Sequence, residues 1–202
     1  HVETKELLRL TNGRESTSYY TLDPSSTKFL ENSNYNGSSL NVLKKDNSLV
    51  CVARDGDSKV QYLTLFKNST TGERIRAGHT KADQVLHANG VYVYREQSYN
   101  ISPRLVFLKH NVKKVLFQSN AQLEKYDRGK VELISLFNSN GVKLQGLLYY
   151  PINYDSSKLY PMIVDIYSQV SSGLHDYIIP TLYNSTGFNI KHFVFNDYFV
   201  LL

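Results

Sequence analysis

Across roughly its first hundred and twenty residues, the chain repeats one small pattern. A short run rich in Val, Ile, Leu, Tyr and Thr is followed by a cluster of Asn, Gly, Asp, Ser or Pro. The runs fall at 18–22, 41–43, 49–53, 61–66, 74–76, 85–87, 90–94, 104–108 and 114–117, with earlier elements at 2–10 and from Phe29. Between them lie Asn12–Gly13, Asp23–Pro24, Asp55–Gly56, Thr71–Gly72 and Ala88–Asn89, residues that suit tight turns. A spacing of about 8–12 residues between strands predicts a meander that closes as a sandwich, barrel or propeller. No long 3.6-residue periodicity appears before residue 185.

Two segments are loosely alike, 63–78 (LTLFKNSTTGERIRAG) and 105–119 (LVFLKHNVKKVLFQS). Each reads as strand, polar turn and strand, as do the outer strands of a propeller blade at a period of about 40–50 residues. Residues 121–130 are polar and carry Gly129, which makes them the linker candidate.

The architecture then changes. Residues 131–137 and 143–150 flank Asn138–Ser139–Asn140–Gly141, a strong hairpin signal. A loop follows at 151–158. Residues 162–167 (MIVDIY) form an apolar, β-branched run of the kind buried on both faces of a parallel sheet, interrupted by Asp165. Residues 188–195 suit a short helix, with 184–187 available to cap its start, and 198–202 read as a second buried-type strand. Strand, helix, strand predicts a parallel crossover. The chain starts in mid-pattern at His1 and stops on an apolar strand at Leu202, so both ends are expected to be cut.

Composition narrows the function classes. The net charge is +5, but the basic residues are scattered and their densest cluster is 109–114. That is an ordinary solvated surface and not a nucleic-acid footprint. Cys51 is the only cysteine, so no internal disulfide can form, and its place in the apolar run 49–53 predicts a buried, inert thiol. No apolar run approaches the ~20 residues of a membrane-spanning helix. His79, His87 and His110 lack metal-ligand spacing. Asp55–Gly56–Asp57–Ser58 is a turn and lacks the later Glu of a calcium loop. Sequons at Asn36, Asn68, Asn100 and Asn184 matter only in a secreted eukaryotic protein. Ser171, Ser172, His175 and Asp165 or Asp176 could be read as a local Ser-His-Asp set, but the loop shows no nucleophile elbow and reads as a polar loop. The histidines give no reason to expect a metal, and the compartment stays open.

The run from Leu133 to Asp155 (LISLFNSNGVKLQGLLYYPINYD), followed by Lys158–Leu159–Tyr160–Pro161 and the strand Met162–Ile163–Val164–Asp165–Ile166–Tyr167, resembles the start of the catalytic domain in the prolyl oligopeptidase family of serine peptidases. That family includes dipeptidyl peptidase IV-like and acylaminoacyl peptidase-like enzymes. The tail from Gly187 to Leu202 is similar to the family's next helix and strand, and residues 1–127 resemble, more faintly, the last blades of its propeller.

The resemblance implies two domains, the C-terminal part of a β-propeller at 1–127 and the N-terminal part of an α/β-hydrolase domain at 128–202. It implies hydrolysis of short peptides through an acyl-enzyme, with peptide as the partner. The family's nucleophile sits in Gly-x-Ser-x-Gly, with Asp and His after it. No such motif occurs here, so the triad is expected beyond Leu202 and the fragment alone is inactive. Tyr167 matches a position whose hydroxyl donates to the oxyanion in some members. The glycines that usually follow it are replaced by Ser168–Gln169–Val170–Ser171–Ser172, so a packing role at the strand end competes with the catalytic one. The competing functional class is a non-catalytic β-propeller-type module that binds peptide or glycan.

Overall fold

The computed structural model describes residues 17–21, 27–29, 41–43, 49–66, 72–126, 129–167, 170–181 and 188–202. The expected strand at 2–10, the Asn12–Gly13 turn, the sequons at Asn36, Asn68 and Asn184, and Ser168–Gln169 lie outside them. The described chain is mostly β, with one short helix. It divides into two compact units, one from His1–Glu96 with Leu105–Phe117, the other from Gln97–Arg104 with Gln118–Leu202.

The first unit begins with β1 (Thr17–Thr21), β2 (Thr27–Phe29), β3 (Asn41–Leu43), β4 (Leu49–Asp55), β5 (Gln61–Phe66) and β6 (Gly72–Gly78). β1, β4, β5 and β6 form an antiparallel sheet in that order, and β2 pairs with β3 as a separate ribbon. Four further strands, β7 (Lys81–Ala88), β8 (Val91–Ser98), β9 (Ile101–Lys109) and β10 (Val112–Gln118), make a second four-stranded sheet. Their connections are two residues each. Asn89–Gly90 and His110–Asn111 all have positive φ, as the mirror-image hairpin turns require. Val50, Val52, Leu63 and Leu65 from the first sheet bury against Val85, Tyr94, Val106 and Leu108 from the second. The alternation of each strand therefore supplies one face to a shared core.

The turn expected at 55–58 is built by Asp55. Its Oδ1 accepts from the amides of Asp57 at 3.2 Å and Ser58 at 2.7 Å, and from the Ser58 hydroxyl at 2.8 Å. The carboxylate is spent on its own turn. Cys51 is buried, as its apolar run suggests, and burial pushes its thiol up to about 11.

The second unit contains a sheet of β11 (Val131–Phe137), β12 (Lys143–Tyr149), β13 (Met162–Val164) and β14 (Phe199–Leu201), in the order β11-β12-β14-β13. The β11–β12 hairpin forms as its sequence predicts. Asn138 Oδ1 accepts from the amides of Asn140 at 3.0 Å and Val142 at 2.9 Å, and Gly141 takes a φ of 73°. β13 and β14 run parallel, joined through α1 (Ile190–Val194). Leu147, Tyr149 and Val200 bury against Val194 of α1, with Phe188, Ile190 and Phe193 around them. The cap of α1 is Asn189, whose side chain accepts from the Lys191 amide at 2.9 Å; the expected cap at 184–187 lies outside the described residues.

β13 differs from its expectation. The run 162–167 reads as a strand buried on both faces, yet only Met162–Val164 enters the ladder, and Ile166 is 88% exposed. Among the described residues β13 is the outer strand, with β14 on one side only. Its apolar side chains record a preference for burial that the described neighbours do not satisfy.

Candidate functional site

In an open sheet, the crevice at the carboxyl ends of parallel strands is where ligands gather. In the second unit that edge lies beyond Val164 and Leu201, since β13 and β14 run the same way. The Asp165 amide still donates to the Leu201 carbonyl at 2.9 Å, which carries the ladder one residue past β13. The chain then leaves the sheet through Ile166 and Tyr167. Tyr167 is 80% exposed and, among the described residues, makes no hydrogen bond or ring contact.

Beyond the undescribed Ser168–Gln169 pair, Ser171 and Ser172 sit on a 3₁₀ turn, Val170–Gly173. The Asp176 amide closes it by donating to the Gly173 carbonyl at 2.8 Å. The turn is not a strand-to-helix elbow that would thrust a serine outward. His175 is buried, and the phenol of Tyr149 is pushed up by burial and then by the charge of Asp176. This segment packs the unit's core, with Leu174 and Ile178 against the cluster around Leu147.

The phrases that carry the family resemblance meet in space. Tyr150, Tyr154, Tyr160 and Phe199 form one aromatic cluster, with ring centroids 5.1 to 5.8 Å apart. The Tyr160 hydroxyl accepts from the Asp155 amide at 2.9 Å, which ties the Tyr-Asp loop to the Lys-x-Tyr-Pro segment. Lys130 and then the Tyr150 hydroxyl hold the Glu132 carboxyl below its ordinary value. Offset and edge-on ring contacts add about 0.5–1.5 kcal/mol per pair beyond area burial. The cluster therefore fixes the approach of the loop to β13 and β14.

A second constellation, in the first unit, escapes sequence reasoning. A cleft of about 370 Å³ opens beside Arg76, Thr80, Glu96 and Lys113, with Ile75 and Leu108 on its walls. Glu96 is fully buried, and its Oε1 accepts from Arg76 Nη2 at 2.9 Å, Thr80 Oγ1 at 3.0 Å and Lys113 Nζ at 2.8 Å. Arg76 Nη2 also donates to Thr80 Oγ1. A bulge in β6 makes this possible: the register shifts where Leu63 pairs with Arg76 and Thr64 with Arg74, leaving Ile75 over. Ile75 packs partly on the core and, with Arg76, lines the cleft. Bulges redirect side chains in this way. The only sequence signal was a polar run, Arg95–Glu96–Gln97, inside a strand-like stretch.

Among the described residues no group of three His, Cys, Asp or Glu side chains is placed to hold a metal, and no helix is long and apolar enough to cross a membrane.

No family profile and no curated protein matches the sequence. Solved structures do. The AtxE2 isopeptidase without ligand aligns with a TM-score of 0.60 at 17% identity, over 98% of this chain and 33% of its own. The same isopeptidase with astexin3-dC4 bound gives 0.59 at 18% identity, with the same coverage. A puromycin-hydrolyzing peptidase of Mycobacterium tuberculosis gives 0.53 at 15% identity, over 79% of this chain and 24% of its own. What is shared at these identities is the fold. The chain spans about a third of the length of the isopeptidase.

Proposed function

We propose that this chain is part of a serine peptidase of the prolyl oligopeptidase type. In this reading residues 1–127 are the C-terminal part of a β-propeller, and residues 128–202 begin an α/β-hydrolase domain. The observation that carries it is the likeness to one isopeptidase fold across 98% of the chain, with two four-stranded sheets followed by a hairpin and a parallel β-α-β unit. The aromatic cluster of Tyr150, Tyr154, Tyr160 and Phe199 supports it further, because it gathers the residues that resemble the family.

The parent would cleave short peptides by acyl transfer. A serine on a Gly-x-Ser-x-Gly elbow attacks the carbonyl, a histidine takes its proton, and an aspartate orients the histidine. All three would be supplied by sequence after Leu202. Tyr167, exposed just past the carboxyl end of β13, would turn its hydroxyl toward the developing oxyanion. The mechanism needs no metal and no organic cofactor.

The test is a fluorophosphonate probe on the full-length protein, followed by mapping of the labelled residue. Labelling of one serine downstream of Leu202, with release of product from short peptides, is the expected result. A protein that binds peptide or glycan without labelling would be a binding module instead.

A further inference from the structure

Two Asn-Gly pairs close hairpins among the described residues, Asn89–Gly90 between β7 and β8 and Asn140–Gly141 between β11 and β12. Asn12–Gly13 and Asn36–Gly37 lie outside them. An Asn-Gly pair carries a chemistry of its own. The glycine amide nitrogen, once it gives its proton to hydroxide or a buffer base, attacks the asparagine Cγ, and glycine has no side chain to obstruct the approach. A C–N bond forms, ammonia leaves, and water reopens the cyclic imide at either carbonyl. The products are aspartate, and isoaspartate with the main chain rerouted through the side chain. Whether a given pair reacts in a folded protein depends on what holds the glycine amide and on how readily the turn opens.

The two turns differ on both counts. The Gly141 amide donates to the Asn138 carbonyl at 3.0 Å, and the Asn138 amide donates to the Val142 carbonyl at 3.0 Å. Asn138 Oδ1 accepts in addition from the amides of Asn140 and Val142. The Gly141 nitrogen must lose its acceptor before it attacks, and the bonds of Asn138 hold the loop closed around it. The Gly90 amide has no hydrogen-bond partner among the described residues. Asn89 and Gly90 are both exposed, and nothing lies within 4 Å of the place a Gly90 Cβ would take. Base and water therefore reach the reacting atoms directly.

We propose that Asn89 is a modification site: it deamidates spontaneously in the folded protein, while Asn140 is protected by its loop. The aspartate product suits the turn, since the φ of 50° at position 89 is one that Asp tolerates. The isoaspartate product lengthens the main chain of a two-residue turn whose flanks are fixed by the β7–β8 pairing and by the stack of His87 on Tyr92, 4.6 Å apart. Either product adds a negative charge. The site needs nothing from the proposed peptidase chemistry and stands or falls apart from it.

The experiment holds the full-length protein folded in mildly alkaline buffer, with a second sample unfolded in urea. Both are digested at low pH and mapped by mass spectrometry, with fragmentation that separates isoaspartate from aspartate. In the folded sample Asn89 is expected to convert about fivefold or more faster than Asn140, the factor that the hydrogen bond on the Gly141 amide alone supplies. In urea the two are expected to convert at like rates, because both are followed by glycine. Asn140 converting as fast as Asn89 in the folded protein would overturn the proposal. So would Asn89 staying intact in the folded protein, or the same disparity persisting in urea.

Discussion

Replacing Glu96 by leucine removes the carboxylate oxygen on which three donors of the first unit converge. Arg76, with a side chain 10% exposed, would keep its charge and lose its counter-ion. Breaking a buried pair from one side costs about 3–5 kcal/mol. The Thr80 hydroxyl loses its acceptor, at about 1 kcal/mol. The leucine returns about 1.5–3 kcal/mol of apolar burial. Lys113, 40% exposed, regains water and contributes a few tenths at most. The net expectation for E96L is a loss of about 1–4.5 kcal/mol, while K113M loses at most about 1 kcal/mol. Removing both charges at once, in R76L/E96L, restores most of the loss, because no buried charge is left alone. Urea unfolding followed by circular dichroism measures each as a midpoint shift at constant slope. E96L losing no more than K113M would refute the account of the cleft as a buried ion network. So would a double variant worse than E96L alone.

Gly146 lies in β12 where β14 runs alongside, and a Cβ there would meet the Leu202 carbonyl oxygen at 2.9 Å; G146A should therefore cost about 1–3 kcal/mol, and an unchanged urea midpoint would contradict that close approach. Cys51 carries a thiol whose ordinary value of 9.0 is raised to about 11 by burial. The folded protein then holds its proton more tightly than the unfolded chain, so the stability linked to this thiol is whole below about pH 9 and is lost as pH rises toward 11. A thiol reagent at neutral pH should react only as fast as the protein opens, and prompt stoichiometric reaction would contradict it. Under the proposed peptidase reading, Y167F in the full-length protein should lower kcat for short peptides by about 10²–10³-fold with KM little changed; an unchanged kcat would remove the proposed oxyanion role of Tyr167.

The β framework was legible because its turns carry their own chemistry. Asn138 and Gly141 specify a hairpin by side-chain acceptance and positive φ, whatever surrounds them. Asn89–Gly90 does the same between β7 and β8. Strand lengths were less legible. β8 extends to Ser98 through Arg95, Glu96 and Gln97, which an apolar pattern does not favour. Arg95 is held there by Asp83 on β7, at 2.6 and 2.8 Å, and Glu96 by Arg76 on β6. The Arg95–Asp83 pair is set by register within one sheet and the Glu96–Arg76 pair by the meeting of two sheets, and no local window contains either. The Arg76 cleft was hidden for the same reason, since it needs the bulge at Ile75 to exist. β13 shows the opposite limit: its apolar run states what the strand prefers to touch, and the described residues supply β14 alone. Tyr167 could be named from the family resemblance, and the structure places it past the ladder without a described partner.

The proposed function rests on an acyl-enzyme formed in the full-length protein. The most direct measurement is the fluorophosphonate adduct of the full-length protein, located by peptide mass spectrometry. The expected result is a single labelled serine within Gly-x-Ser-x-Gly, C-terminal to Leu202, and loss of peptide hydrolysis in step with labelling. No adduct, or an adduct on Ser171 or Ser172, would contradict it.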